Sequence, residues 1–342
     1  MLMDTDGIII RHALMHIMDS SAGIPVLSDK ELDLNSEMND FLRNHIAKLL
    51  SGDDLKNCVF DEESSEVYEI LKDFNEENII QISKRLGEML YAIINSNPDI
   101  PGADVFFVTY QQESQVFLAI LKMNYKEVYV HYSSLDENNG NMNDIMKERN
   151  ALPGGGRLSE AVIISLADAQ VRILEKKFEV NGQKVNYLSE LFLKCHAKMS
   201  QKTKLDIVTK AAEQINKKYF DDNFEKKMET KAVIHEACEA CTDEAPIKVE
   251  EISKELFGEA APEIKEEFEK KLEKYNLPKD EIKVKSQATT KKFERQQLKT
   301  DTGIEISIPM DEYNNRNHVE FTTNPDGTVS VLIKNINKIT SK

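Results

Sequence analysis

The alternation of apolar and polar residues divides the chain into stretches of recognisable period. Residues 8–19 read as a first strand, and the Ser-, Gly- and Pro-containing run 20–25 as a loop. Asn35-Ser36 offers an N-cap for a helix over 37–50, with an apolar stripe of Met38, Phe41, Leu42, Ile46 and Leu49. His45 falls on that stripe and reads as a packed histidine rather than a catalytic one. A short helix over 66–74 precedes a long one over 77–95, which Asn97-Pro98 stops. In the long helix Ile79, Ile82, Leu86, Met89, Leu90 and Ile93 keep the 3.6-residue period. Strands follow at 105–110, 116–123 and 127–132. The first two are almost continuously apolar, which places them at the centre of a sheet covered on both faces by the preceding helices.

The Asn-, Asp- and Gly-rich stretch 135–158 reads as a loop or partly helical insertion. Its run Pro153-Gly154-Gly155-Gly156-Arg157 has neither a following Lys-Ser/Thr nor a G-x-G-x-x-G frame, so a plain flexible loop is preferred to a phosphate cradle. Strands resume at 161–166 and 170–180, and the chain returns over 185–193 after an Asn181-Gly182 turn. A helix over 202–219 has the core stripe Leu205, Val208, Ala212, Ile215 and Tyr219, and a further helix spans 222–240. Residues 242–246 read as a boundary, beyond which small helices cover 249–257 and 262–275. Residues 292–298 look like an exposed strand. With the turn 300–303 and the alternating Ile304, Ile306 and Ile308 they make a hairpin with one charged arm and one buried arm. A second hairpin joins 319–323 to 329–333 through Asn324-Pro325-Asp326-Gly327. The pattern is that of an α+β protein. N-terminal mixed helices pack on a largely antiparallel sheet over 1–200, a helical segment covers 201–245, and a small C-terminal α+β domain with β-hairpins covers 246–342.

Charge changes the picture. The 342 residues carry 44 Lys and Arg against 60 Asp and Glu, a net charge of −16. Such a body repels a phosphate polymer beyond a Debye length of about 8–10 Å, so any contact with nucleic acid needs local patches. Two are present. Between 282 and 300, Lys283, Lys285, Lys291, Lys292, Arg295 and Lys299 face one acid, Glu294. On the 202–219 helix, Lys202, Lys210 and Lys217 fall together opposite the core stripe. Lys194, Lys198, Lys204 and Lys218 add to this second patch, against Asp206 and Glu213. These nine residues, the six and the three, are the candidate DNA contacts, and a solvated helix face is the competing reading for the second group. No apolar run approaches the ~20 residues of a membrane span. The acidic start does not resemble a signal peptide, and four cysteines do not make a secreted framework, so a reducing cytoplasm is expected.

Catalytic and metal signatures are sparse. His235-x-x-Cys238-x-x-Cys241 could approach a zinc site only if the helix ended near Ala240 and Cys195 or His196 joined. Structural helix residues are preferred, and no cofactor is expected. Asp168 with Glu175-x-Lys177 sketches a Mg²⁺-dependent nuclease, a weak pattern in a chain this rich in Glu and Lys.

Several stretches together carry a resemblance. They are Met15-His16-Ile17-Met18-Asp19 with Gly23-Ile24-Pro25-Val26-Leu27-Ser28, and Phe107-Val108-Thr109-Tyr110 with 119–126. Leu174-Glu175-Lys176-Lys177-Phe178 with 187–193, Lys299-Thr300-Asp301-Thr302-Gly303-Ile304-Glu305-Ile306, and the closing Asn324-Pro325-Asp326-Gly327-Thr328 complete them. In this order the chain resembles the bacterial nucleoid-associated family typified by YejK/NdpA, and is most similar to its Gram-positive branch. The resemblance implies residence on the nucleoid and association with DNA, and brings no catalytic residues. It leaves three readings: non-sequence-specific binding to duplex DNA or a DNA-bound complex, the nuclease, and an adaptor recruited by a nucleoid protein such as a topoisomerase. A homo-oligomer is compatible with all three.

Overall fold

The computed structural model describes residues 5, 7–20, 23–135, 140–152, 156–221, 223–258, 262–313 and 315–340. The chain divides into two units, Met1–Ser200 and Gln201–Lys342.

In the first unit, local signals start most elements. β1 (Ile8–Met18) is followed by α1 (Ser36–Leu50), where the Asn35 side chain accepts a hydrogen bond from the Met38 amide at 2.9 Å. β2 (Lys56–Phe60) leads to α2 (Glu66–Lys72), capped in the same way by Ser65. An Asn75/Asn78 capping box opens a 3₁₀ turn that runs into α3 (Ile79–Ser96). Then come β3 (Ala103–Gln112), β4 (Gln115–Asn124), β5 (Lys126–Leu135), β6 (Asn141–Ala151), β7 (Glu160–Ser165), β8 (Val171–Leu174), β9 (Phe178–Val180), β10 (Gln183–Val185) and β11 (Cys195–Ala197). Seven strands form one antiparallel sheet in the order β1-β3-β4-β7-β8-β2-β11.

β3 and β4 lie inside that sheet with cover on both sides. Leu42, Ile46 and Leu49 of α1 join Phe106, Val108, Ala119 and Leu121 in one buried cluster. Ile82, Leu86 and Leu90 of α3 join Val105, Phe107, Leu118 and Ile120 in the other. Two-sided burial is why these strands are continuously apolar. One ion pair sits within the sheet. Lys122 and Glu160 are cross-strand partners, both buried, with Nζ 3.3 Å from Oε2. Asn124 and the Pro101 carbonyl accept from the same ammonium at 2.6 and 3.1 Å, while Asn124 and the Tyr187 hydroxyl donate to Glu160. Burial pushes the Lys122 pKa down and that of Tyr187 up.

Three expectations change here. Of the stretch 135–158, read as a loop or partly helical insertion, Asn141–Ala151 is strand β6, paired with β5, and 136–139 lie outside the described residues. The 170–180 stretch breaks into β8 and β9, and the return over 185–193 is mostly a π-helical turn, Leu188–Leu193. Leu188, Ser189, Phe192 and Leu193 are buried at a spacing that serves a helix as well as a strand, and Lys194 at φ 49° ends the turn. Residues 153–155 of the glycine-rich run, and 21–22 of the early loop, lie outside the described residues; Arg157 pairs with Asp54 at 2.5 Å.

The second unit contains α4 (Gln201–Tyr219), α5 (Phe224–Glu239), β12 (Ile247–Lys248), α6 (Val249–Phe257), α7 (Pro262–Glu273), β13 (Glu281–Ile282), α8 (Gln287–Glu294), β14 (Arg295–Lys299), β15 (Glu305–Pro309), α9 (Met310–Tyr313), β16 (Val319–Thr323) and β17 (Val329–Ile333). α4 packs on α5 and α7, and α5 on α6 and α8, so the 201–245 helices share a unit with residues 246–342. Asn216 of α4 donates to Thr230 of α5 at 2.7 Å in the buried seam. The expected strand over 292–298 is corrected: its first residues belong to α8, and the β14–β15 hairpin starts only at Arg295. The buried pair Thr289 and Phe293, four residues apart, is the helical signal that the polar run concealed. Nor is the second arm buried throughout, since Ile304 is exposed and only Ile308 of the three isoleucines is fully enclosed.

Glu160→Gln leaves the Lys122 ammonium without a counter-charge, and is expected to cost about 3–5 kcal/mol in urea unfolding. Lys122→Met added to it is expected to recover a large part. A Glu160→Gln loss below ~1 kcal/mol contradicts the assignment.

Candidate nucleic-acid interface

The charge of the chain is unevenly distributed. Residues 1–200 carry 19 basic and 32 acidic side chains, whereas 201–342 carry 25 and 28. The second unit is therefore close to neutral, and local grouping decides its surface potential.

That grouping occurs where α4, α5 and α8 meet. They enclose a cleft of about 670 Å³ edged by Lys210, Lys217, Lys227, Lys231 and Lys292, with Glu213 as the one carboxylate among its described lining residues. Ile234, Met228 and Phe293 are buried and form the apolar side. Helical spacing explains the arrangement. Lys210 and Lys217 lie two turns apart on α4, and Lys227 and Lys231 one turn apart on α5.

The five ammonium groups are held differently. Lys210 and Lys217 are exposed and make no ion pair with the described residues. Lys292 pairs with Asp206 of α4 and lies over the Phe293 ring, 4.8 Å from its centroid. Lys231 is partly buried and donates to the Arg295 carbonyl at 2.8 Å and to Gln296 Oε1 at 3.0 Å. Both acceptors are neutral, and burial lowers the Lys231 pKa with no counter-charge to offset it. An anion entering the cleft would relieve that desolvation cost.

Of the nine residues chosen from the sequence, the cleft gathers Lys210, Lys217 and Lys292. Lys202 starts the same α4 face but does not line the cleft, and the described ion pairs leave Lys291, exposed on α8, without a partner. Arg295 folds onto its own hairpin, donating to the Ser307 hydroxyl at 2.9 Å and its carbonyl at 3.1 Å. Lys299 pairs across the hairpin with Glu305 at 3.0 Å and lines a neighbouring cavity with Lys227. Lys283 and Lys285 go elsewhere. Lys285 reaches Asp243 at 2.7 Å and holds that carboxyl below its usual range, and Lys283 donates to the Asp243 carbonyl. Lys283 also borders a cleft rich in acids, among them Glu236, Glu251, Glu255 and Glu281. The six-residue basic stretch is thus not one patch. Lys227 and Lys231 are the residues sequence reading missed; their i, i+4 spacing on α5 was the available signal.

The other candidate chemistries do not assemble. Asp168 precedes β8 and Glu175 follows it, so seven residues of largely extended chain put them on the order of 20 Å apart. Glu175 is fully enclosed, paired with Lys56 at 3.0 Å and accepting from the Ser189 amide and hydroxyl. His235 bonds Asp311 at 3.2 Å, Cys238 is buried in α5, and Cys241 reaches the Ile282 carbonyl. Among the described residues no three His, Cys, Asp or Glu side chains converge as metal ligands, and no helix is long and apolar enough to cross a membrane.

The chain is thus an α+β protein whose near-neutral second unit brings several lysines to one cleft. The family of the nucleoid-associated protein YejK matches residues 14–340, and the chain belongs to this bacterial nucleoid-associated family. No curated protein matches it.

In an NMR titration of the intact chain, Lys231 is expected to titrate below the ordinary lysine value of 10.5. Its charged form is the disfavoured one, so the folded state gains stability as pH rises through the lowered pKa towards 10.5. A Lys231 resonance titrating at or above the ordinary value contradicts the burial argument.

Proposed function

We propose that the protein binds double-stranded DNA without sequence preference, through the lysine-edged cleft of α4, α5 and α8. The observation that carries this reading is the convergence of five lysines on one cleft in the less acidic unit of an acidic, nucleoid-associated chain. Lysines here meet phosphates as point charges and release counterions, which gives affinity without reading base edges. Phe293 is buried beneath Lys292 and offers no ring for unstacked bases, which favours duplex over single strands. Lys291, Arg295 and Lys299 extend the contact as secondary phosphate ligands, while Lys202, Lys283 and Lys285 contribute least.

A second reading has its own support. The excess of 13 acidic residues in 1–200, and the carboxylates on Lys285, Lys292 and Lys299, favour recruitment through a DNA-bound protein. In that case a topoisomerase or another chromosome-bound factor supplies the DNA contact, and the chain itself acts as a non-enzymatic adaptor.

Gel retardation of duplex across a salt series separates the two. With three to five lysines engaged, the slope of log K against log salt is expected near −3 to −4.5. Lys210→Glu with Lys217→Glu is expected to lower affinity by ~10-fold or more at about 100 mM salt. Lys291→Glu, Lys292→Glu and Arg295→Glu together are expected to weaken it further. No retardation by the wild-type chain at low salt transfers the DNA contact to a partner, and unchanged retardation by both variants removes the cleft.

A further inference from the structure

Lys231 differs from the other cations of the α4–α5–α8 cleft in what holds it. Its Nζ donates to the Arg295 carbonyl at 2.8 Å and to Gln296 Oε1 at 3.0 Å. Gln296 is buried, and its Nε2 is committed to the Gln297 carbonyl at 2.9 Å, so its amide oxygen is the end turned to Lys231. Both partners only accept, and neither is charged. The Arg295 guanidinium is turned to Ser307, and among the described residues Lys231 has no carboxylate partner.

This setting suits a free amine. A neutral lysine has two N–H groups and one lone pair. The two acceptors satisfy both N–H groups and leave the lone pair to the open side, where the cleft lies. An ammonium would keep a third N–H without a described acceptor. Burial acts in the same direction and lowers the Lys231 pKa. Desolvation beside other cations is a common way to turn a lysine into a nucleophile. Those cations are present, because Lys210 and Lys217 of α4, Lys227 of α5 and Lys292 of α8 edge the same cleft, with Glu213 as its one described acid. Lysine ammonium groups of this kind hold phosphate as point charges, and about 670 Å³ admits a small molecule.

We propose that Lys231 is an N-acylation site whose substrate class is the small acyl phosphates. The cationic rim seats the phosphate end and presents the acyl carbon to the Lys231 amine. The nitrogen lone pair attacks that carbon, a C–N bond forms, and the bond from the acyl carbon to the phosphate oxygen breaks. Its electron pair leaves with the phosphate, which also takes the proton lost by nitrogen, so the products are an amide and hydrogen phosphate. Acylation removes one cation from the cleft. Weaker DNA binding as its consequence rests on the cleft being the DNA site; the modification itself does not.

The test is mass spectrometry of the full chain, lysine by lysine, after brief exposure to acetyl phosphate at neutral pH without DNA. Lys231 is expected to be acetylated on the order of 10-fold faster than Lys291, which is exposed on α8. Lys210→Gln with Lys217→Gln alters two exposed positions, and is expected to slow Lys231 acetylation by about 5-fold or more. The same double variant should change labelling by acetic anhydride, which carries no phosphate, by less than about 2-fold. Lys231 reacting no faster than Lys291 overturns the inference. So does acetyl phosphate labelling that the double variant leaves unchanged, or a fall that is equal for both reagents. With duplex DNA, the chain acetylated at Lys231 is expected to show a salt slope smaller by about 0.9. An unchanged slope beside selective acetylation overturns the DNA role of Lys231 and upholds the acylation site.

Discussion

Net charge is the constraint on everything this chain can do with a nucleic acid. With 16 more acids than bases, its long-range field repels phosphate, so attraction has to be built within about a Debye length. In the proposed reading the second unit meets that requirement by position. Three helices turn lysines toward one cleft, and among its described lining residues only Glu213 is acidic. One of those cations, Lys231, rests on neutral acceptors and is already partly desolvated, so an incoming anion meets a charge that water screens weakly. The same constraint appears as neutralisation, at the edge of the cleft with Asp206 against Lys292 and elsewhere with Asp243 against Lys285 and Glu305 against Lys299.

The first unit contributes a rigid sheet instead of a charged surface. Its inner strands are covered on both sides, and its buried Lys122–Glu160 pair has every polar neighbour occupied. Breaking such a pair is costly, which ties β4, β7 and the chain around Tyr187 into one arrangement. The β5–β6 arm leaves this sheet directly after β4.

The fold was largely legible because its periods are strong. The apolar runs of β3 and β4, the stripes of α1 and α3, and the Asn-Pro-Asp-Gly turn each point to one structure. Reading failed where two periods fit the same residues. Leu188–Leu193 has apolar spacing that suits strand or helix, and tertiary packing selected the helical form. In 287–298 polar side chains hid the Thr289–Phe293 helical pair, which moved Lys292 from a hairpin strand to α8. Asn, Asp and Gly in 135–158 suggested a loop, whereas Asn141–Ala151 pairs with β5 as a second strand. Site composition was less legible still. Proximity along the chain grouped Lys283 and Lys285 with Lys292, but folding sends the first two to Asp243 and brings Lys227 and Lys231 of α5 to the third. A charge patch is a property of surface geometry, and sequence distance is a poor guide to it.

The most direct measurement of the central claim is an acetylation footprint of the intact chain, read lysine by lysine with and without duplex DNA. Seating of phosphates in the cleft predicts protection of Lys210, Lys217 and Lys231, with Lys285 unchanged. Equal labelling of those three with and without bound duplex, or protection confined to lysines outside the α4–α5–α8 cleft, would contradict it.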